Sequence, residues 1–238
     1  MSEFNYVKNY GGYNSTSAVE VQNTLLRKSY VWMASALVLT GLTSYFVANS
    51  PGMLQLIFGN RMVFFGIIIA ELALVIGLSS TIQRISVVTA TLLFVLYSVL
   101  NGALLATIFL VFTMSSIATT FFITAGTFGV MALYGSFTKT DLSSFGNILL
   151  MALIGLIIAT VVNIFLKSTM MDMIISGVGV LIFTGLTAYD AQKIKALTNG
   201  VEEDDETQKL AVIGALMLYL DFVNLFLYLL RFFGRRNN

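Results

Sequence analysis

Apolar residues in this chain do not alternate with polar ones at the spacing of a soluble helix or strand. They run on in stretches of about twenty, separated by short polar breaks. A stretch of that length matches the thickness of a hydrocarbon core when it is helical. Seven such spans are predicted: 30–48, 62–83, 87–109, 117–137, 145–166, 174–194 and 210–230. The first stops at Asn49-Ser50-Pro51-Gly52, a turn sequence, and Met53–Phe58 reads as a short re-entrant or interfacial piece. The uncharged region from Ile85 to Thr138 has 54 residues. As one helix it would be ~80 Å long, too long for one crossing. The polar group Thr113–Ser116 is the natural place to divide it. Ala125, Gly129 and Gly135 then give the fourth span a small-residue face for close packing.

The expected fold class is therefore an all-α polytopic membrane protein, a bundle of seven transmembrane helices. Residues 1–29 are read as a polar cytoplasmic tail whose part from Val19 to Ser29 forms an interfacial helix. Residues 30–233 form the membrane domain, and residues 234–238 a basic tail. Nothing at the N-terminus has a signal-peptide pattern. Lysine and arginine placement gives the orientation. With the N-terminus inside, eight basic residues face the cytoplasm and five face outward, the C-terminal Arg235 and Arg236 among the five. The discordant FGRRNN leaves two readings: an outside tail, which is favoured, or a seventh span that does not fully cross.

Composition narrows the chemistry. Of 238 residues, 57% are hydrophobic and 11% charged, with a net charge of +1. That balance gives no case for nucleic acid as a partner. Cysteine and histidine are absent. This excludes disulfides, thiol chemistry and the usual zinc and haem ligands, and no enzyme cofactor motif is present. It also removes the side chain that ordinarily senses pH near neutrality. A pH response would have to come from carboxylates.

Three carboxylates interrupt the apolar spans: Glu71 in the second, Asp190 in the sixth and Asp221 in the seventh. Charge at membrane depth is costly and faces a protein interior or a water path. Asp221 is the hardest to explain as structure alone, because Leu218, Tyr219, Leu220, Phe222 and Val223 surround it. Asn224, one turn on, is placed to hydrogen-bond to it. Asp190 has a simpler alternative as an interface cap paired with Lys193. The span windows above set the two aspartates ~10 Å apart in depth. Extending the sixth helix to about Leu197 and the seventh toward Phe233 closes most of that gap. If they meet, the two acids share a proton, and their titration belongs to the pair. Arg84 reads as a cytoplasmic anchor or as a latch that replaces the proton. Glu71 reads as an internal hydrogen-bonding group or as a lining of a water path. Doubly ionised, Asp190 and Asp221 offer oxygen ligands suited transiently to a hard cation such as Ca2+. The acidic run Glu202–Glu206 reads as a solvated loop.

The segments FTGLTAYDAQKIK and GALMLYLDFVNLFLYLLRFFGRR resemble the bacterial branch of the Bax inhibitor-1, or transmembrane Bax inhibitor motif, family. So do AELALVIGLSS, YGSFTKTDLSSFGN and LRKSYVWM, and the likeness runs from about Val21 to the end. The resemblance implies a seven-helix bundle with the last helix central, in a bacterial inner membrane. It implies a pH-sensitive Ca2+ leak channel with Asp190 and Asp221 as the sensor, Arg84 as the latch, and Glu71 on the path. The link between the last two helices is longer and more acidic here than in some relatives. A second role follows from the same resemblance, since one bacterial relative is associated with inhibiting a membrane-bound AAA protease. An intramembrane aspartyl protease is a weak third reading, because Tyr219-Leu220 stands where Gly-x-Gly would precede the aspartate.

Overall fold

The computed structural model describes residues 14–197 and 205–237. Expectations for the tail before residue 14 and for Glu202–Asp204 of the acidic run lie outside the described residues. The helices are α1 (Asn14–Ala48), α2 (Pro51–Phe58), α3 (Arg61–Thr81), α4 (Val87–Leu105), α5 (Thr107–Val111), α6 (Met114–Phe137), α7 (Ser143–Leu166), α8 (Thr169–Ala196) and α9 (Asp205–Phe233). Seven stretches among them are long and apolar enough to cross a membrane, with α4 and α5 counted as one. All are helical because lipid offers no partner to an open backbone amide.

The boundaries follow local chemistry. Asn60, Ser86, Thr113 and Ser168 each cap a helix start by accepting a bond from a backbone N–H. Pro51 opens α2, where its missing N–H costs nothing. Two expectations are corrected. The segment from Val19 to Ser29 is not a separate interfacial helix, because α1 runs unbroken from Asn14 to Ala48. The third span is carried by α4 and α5 together, with a break at Ala106. Gly129 is not a close-packing position: nothing lies within 4 Å of where its Cβ would be. Gly135, in contrast, presses on the Ala188 backbone.

α9 forms the centre. Two thirds of its apolar window is buried (67%), against 6% for α3 and 11% for α7. It packs against α1, α3, α4, α6 and α8. Leu218, Tyr219 and Leu225 are fully enclosed. The outer helices turn residues such as Met62, Phe122 and Phe165 outward. In water this surface would drive aggregation; in a bilayer it faces its natural solvent. Buried hydroxyls of Thr124, Ser136 and Thr187 bond back to carbonyls four residues earlier in their own helices. That satisfies them without a partner helix.

Both ends of the bundle are tied. At one end, α8 meets the α6–α7 loop: Leu142 N–H donates to Gln192 Oε1, Gln192 Nε2 donates to the Thr140 carbonyl, and Lys195 Nζ donates to the Ser136 carbonyl. At the other, Arg231 pairs with Asp172 at 3.4 Å. There the C-terminal tail also lies along the break between α5 and α6. Thr113 N–H donates to the Arg235 carbonyl, Arg235 N–H to Ser116 Oγ, and Asn237 N–H to the Val111 carbonyl. α9 thus runs the length of the bundle, and it is long and apolar enough to cross a membrane.

Candidate functional site

Asp190 and Asp221 come from the two most heavily packed neighbours in the fold, α8 and α9. α8 extends to Ala196 and α9 to Phe233, which brings the acids to matching depth. Two close approaches fix α8 at this level. Gly135 of α6 meets the Ala188 backbone, and Gly146 of α7 lies under the Tyr189 ring. A Cβ at either place would overlap its neighbour, so α8 is held close against α6 and α7 immediately before Asp190.

The two carboxyl groups lie close enough to interact directly. Asp221 is buried, with 4% of its surface exposed, and Asp190 is half-buried. The second oxygen of Asp221, Oδ2, is enclosed without a partner. A carboxylate only accepts hydrogen bonds, so a bond between two carboxyls requires one proton between them. Lys193, one turn beyond Asp190, is the cation whose charge reaches it, and its Nζ stands 5.6 Å from the Tyr189 ring centre.

The other anticipated residues are placed differently. Arg84 lies in the exposed turn after α3 and pairs with neither aspartate. Asn224 does not bond to Asp221: its Nδ2 donates to the Leu220 carbonyl of its own helix at 2.8 Å. The nearby backbone acceptor is fixed by helix geometry and takes the amide before the carboxyl can. Glu71 is away from the pair, half-buried on α3 near Asn101 of α4, with its Oε1 enclosed without a partner. Asn101 and Tyr219, which complete its surroundings, were not singled out from sequence. Neither residue type stands out in an apolar helix; only the facing of three helices brings them together.

Among the described residues there is no group of three or more histidine, cysteine, aspartate or glutamate side chains able to hold a metal ion. Two carboxyls can touch a passing cation but do not make a cage of six to eight oxygens.

Comparison with known proteins fits this architecture. The family model described as inhibitor of apoptosis-promoting Bax1 matches residues 22–238. The chain belongs to the Bax inhibitor-1 family. Its similarity is strong to the inner membrane protein YbhL of Escherichia coli K12, at 50% identity over 90% of this chain and 92% of the relative. A protein of Borreliella burgdorferi is 44% identical over 92% of this chain and 94% of its own length. One of Rickettsia prowazekii is 43% identical, with 89% of each covered. This member of the bacterial branch is a multi-pass protein of the bacterial inner membrane, with a regulatory or channel role of the Bax inhibitor-1 type.

Proposed function

We propose that this protein is a pH-sensitive cation leak channel, with Ca2+ the favoured ion, gated by Asp190 and Asp221. The observation that carries the reading is the approach of two carboxyl side chains at the contact of α8 with the central helix. With one proton shared, the pair links the two helices. Without it, two negative charges stand side by side. At about 4 Å and an effective dielectric constant of about 20, such charges repel by roughly 4 kcal/mol. That is enough to shift a two-state helix contact by about a thousandfold. The ionised pair also presents hard oxygen ligands to a divalent cation.

In this reading Asp190 and Asp221 are the sensor and a transient ion contact. Arg84 would act as a latch only in another arrangement, after the α3–α4 turn moves inward. Glu71 and Asn224 are assigned to the path.

The test is calcium flux into liposomes containing the full chain, measured across pH. Asp190→Asn and Asp221→Asn each remove one member of the titrating pair, so the pH dependence should flatten in both. A flux profile in both variants identical to the parent would end the proposal. A second reading, a regulator of a membrane protease or other membrane protein, rests on the family role alone. It predicts partner binding that survives both substitutions.

A further inference from the structure

The hairpin of α3 and α4 is not closed over its second half. α3 turns a face of small side chains toward α4: Ala70, Ala73, Gly77 and Thr81, spaced three or four apart. Elsewhere in the bundle a small residue lets helices touch, as Gly135 does at Ala188. Here the helices stay apart. Nothing lies within 4 Å of where a Gly77 Cβ would be. Leu93, Leu96 and Leu100 of α4 form the opposite wall of a groove of about 380 Å³. From Ala70 to Thr81 the groove runs ~16 Å along α3. That is about half of a ~30 Å hydrocarbon core, so the groove spans one leaflet. Ala73 and Leu96 are exposed, which opens it sideways to lipid.

Water does not suit this lining. An enclosed water needs about two to four polar partners. The Thr81 hydroxyl, the polar side chain of the lining, already donates to the Gly77 carbonyl at 2.7 Å. Left empty, the groove would forfeit dispersion contacts along both walls. A further helix, about 10–12 Å across, is too thick to enter between two helices that remain in contact. A hydrocarbon chain is thin enough and apolar enough.

The end of the groove at the α3–α4 turn is basic. Arg84 is the charged residue of that turn, residues 82–85. Its N–H donates to the Thr81 carbonyl at 2.8 Å, which fixes it one turn beyond the last lining residue. Its side chain is exposed and forms no ion pair among the described residues. α1, which packs on α4, brings Arg27 and Lys28 to the same end. Glu20 of α1 stands ~10 Å further out. The placement of basic residues puts this end in the cytoplasm, where anionic headgroups attract such side chains.

We propose that the α3–α4 groove binds a phospholipid with a net negative headgroup, one acyl chain lying along Gly77 and the phosphate meeting Arg84. The site is separate from the aspartate pair on α8 and α9 and does not rest on it.

Native mass spectrometry of the full chain tests this, with phosphatidylglycerol and phosphatidylethanolamine of the same acyl chains added. The parent should bind phosphatidylglycerol about fivefold more tightly, as expected for one basic side chain near a membrane surface. Arg84→Gln should bring the two lipids level. Gly77→Leu, which puts a side chain into open space on a helix, should displace both. A photoactivatable phosphatidylglycerol should mark residues 70–81 and 93–100 in the parent and leave them unmarked in Gly77→Leu. Equal binding of both lipids by the parent overturns the proposal, as does a preference that survives Arg84→Gln. Binding and marking unchanged in Gly77→Leu overturn it as well. A dimer that Gly77→Leu disrupts would assign the groove to a second copy of the chain and overturn the lipid. None of these measurements reads flux, so failure of the gate reading leaves them intact.

Discussion

Single side chains show where apolar context isolates a signal. Asp190 and Asp221 stand out because each interrupts an otherwise uncharged run, and the structure brings them together. Asn224 was misjudged because a polar residue one turn away competes for nearby backbone carbonyls as well as for the carboxyl. The polar cluster of Thr40, Asn101 and Tyr219 was illegible, since the three sit on three helices whose mutual facing leaves no periodic trace. Outside the membrane, Asp141 offers a plain test. Ser143 N–H donates to Asp141 Oδ1 at 2.9 Å, and this bonding holds its carboxyl below the ordinary aspartate value. Stability from a depressed carboxyl is present above the unfolded value, near ~3.9, and is lost as pH falls through the lower folded value. Asp141→Ala should therefore lower the melting temperature slightly at neutral pH. The difference from the parent should shrink toward zero as the pH drops below the aspartate range. A difference that stays constant into acid would assign the effect to something other than this charge.

At the level of helices, the seven crossings were readable because hydrophobic length is fixed by bilayer thickness. Their ends were less so. α8 and α9 each run past the apolar window into polar turns, and α1 carries its helix well beyond the bilayer. Capping residues and tertiary contacts, rather than hydropathy, decide those ends. Which glycines matter was likewise invisible, because Gly129 and Gly135 look alike along one sequence. Only Gly135 meets backbone, at Ala188. Gly135→Ala should cost about 1–3 kcal/mol, the usual range for overpacking against a neighbour that cannot yield. Gly129→Ala should be close to neutral. Unfolding in mixed detergent micelles would measure both; equal effects at the two sites would contradict the packing described.

For the molecule as a whole, the decisive property is that one helix is enclosed by the others and anchored at its far end. The tail after Phe233 satisfies backbone groups at the break between α5 and α6 that no helix can satisfy. Removing residues 235–238 should lower stability by about 1–3 kcal/mol, given roughly 0.5–1.5 kcal/mol for each hydrogen bond lost. It should also speed hydrogen exchange at Thr113, whose N–H loses the Arg235 carbonyl. Unchanged exchange across residues 110–117 would show that the tail bears no part of that turn.

The centrality of α9 carries a consequence for how the protein is made. Translation delivers this helix last, yet it is the axis on which five other helices rest. Until α9 arrives, Asp190 has no carboxyl beside it. The earlier helices must wait as an unfilled ring, their inward faces exposed to lipid or to insertion machinery. A nascent chain stopped short of Leu210 should therefore be a preferred target for membrane quality control.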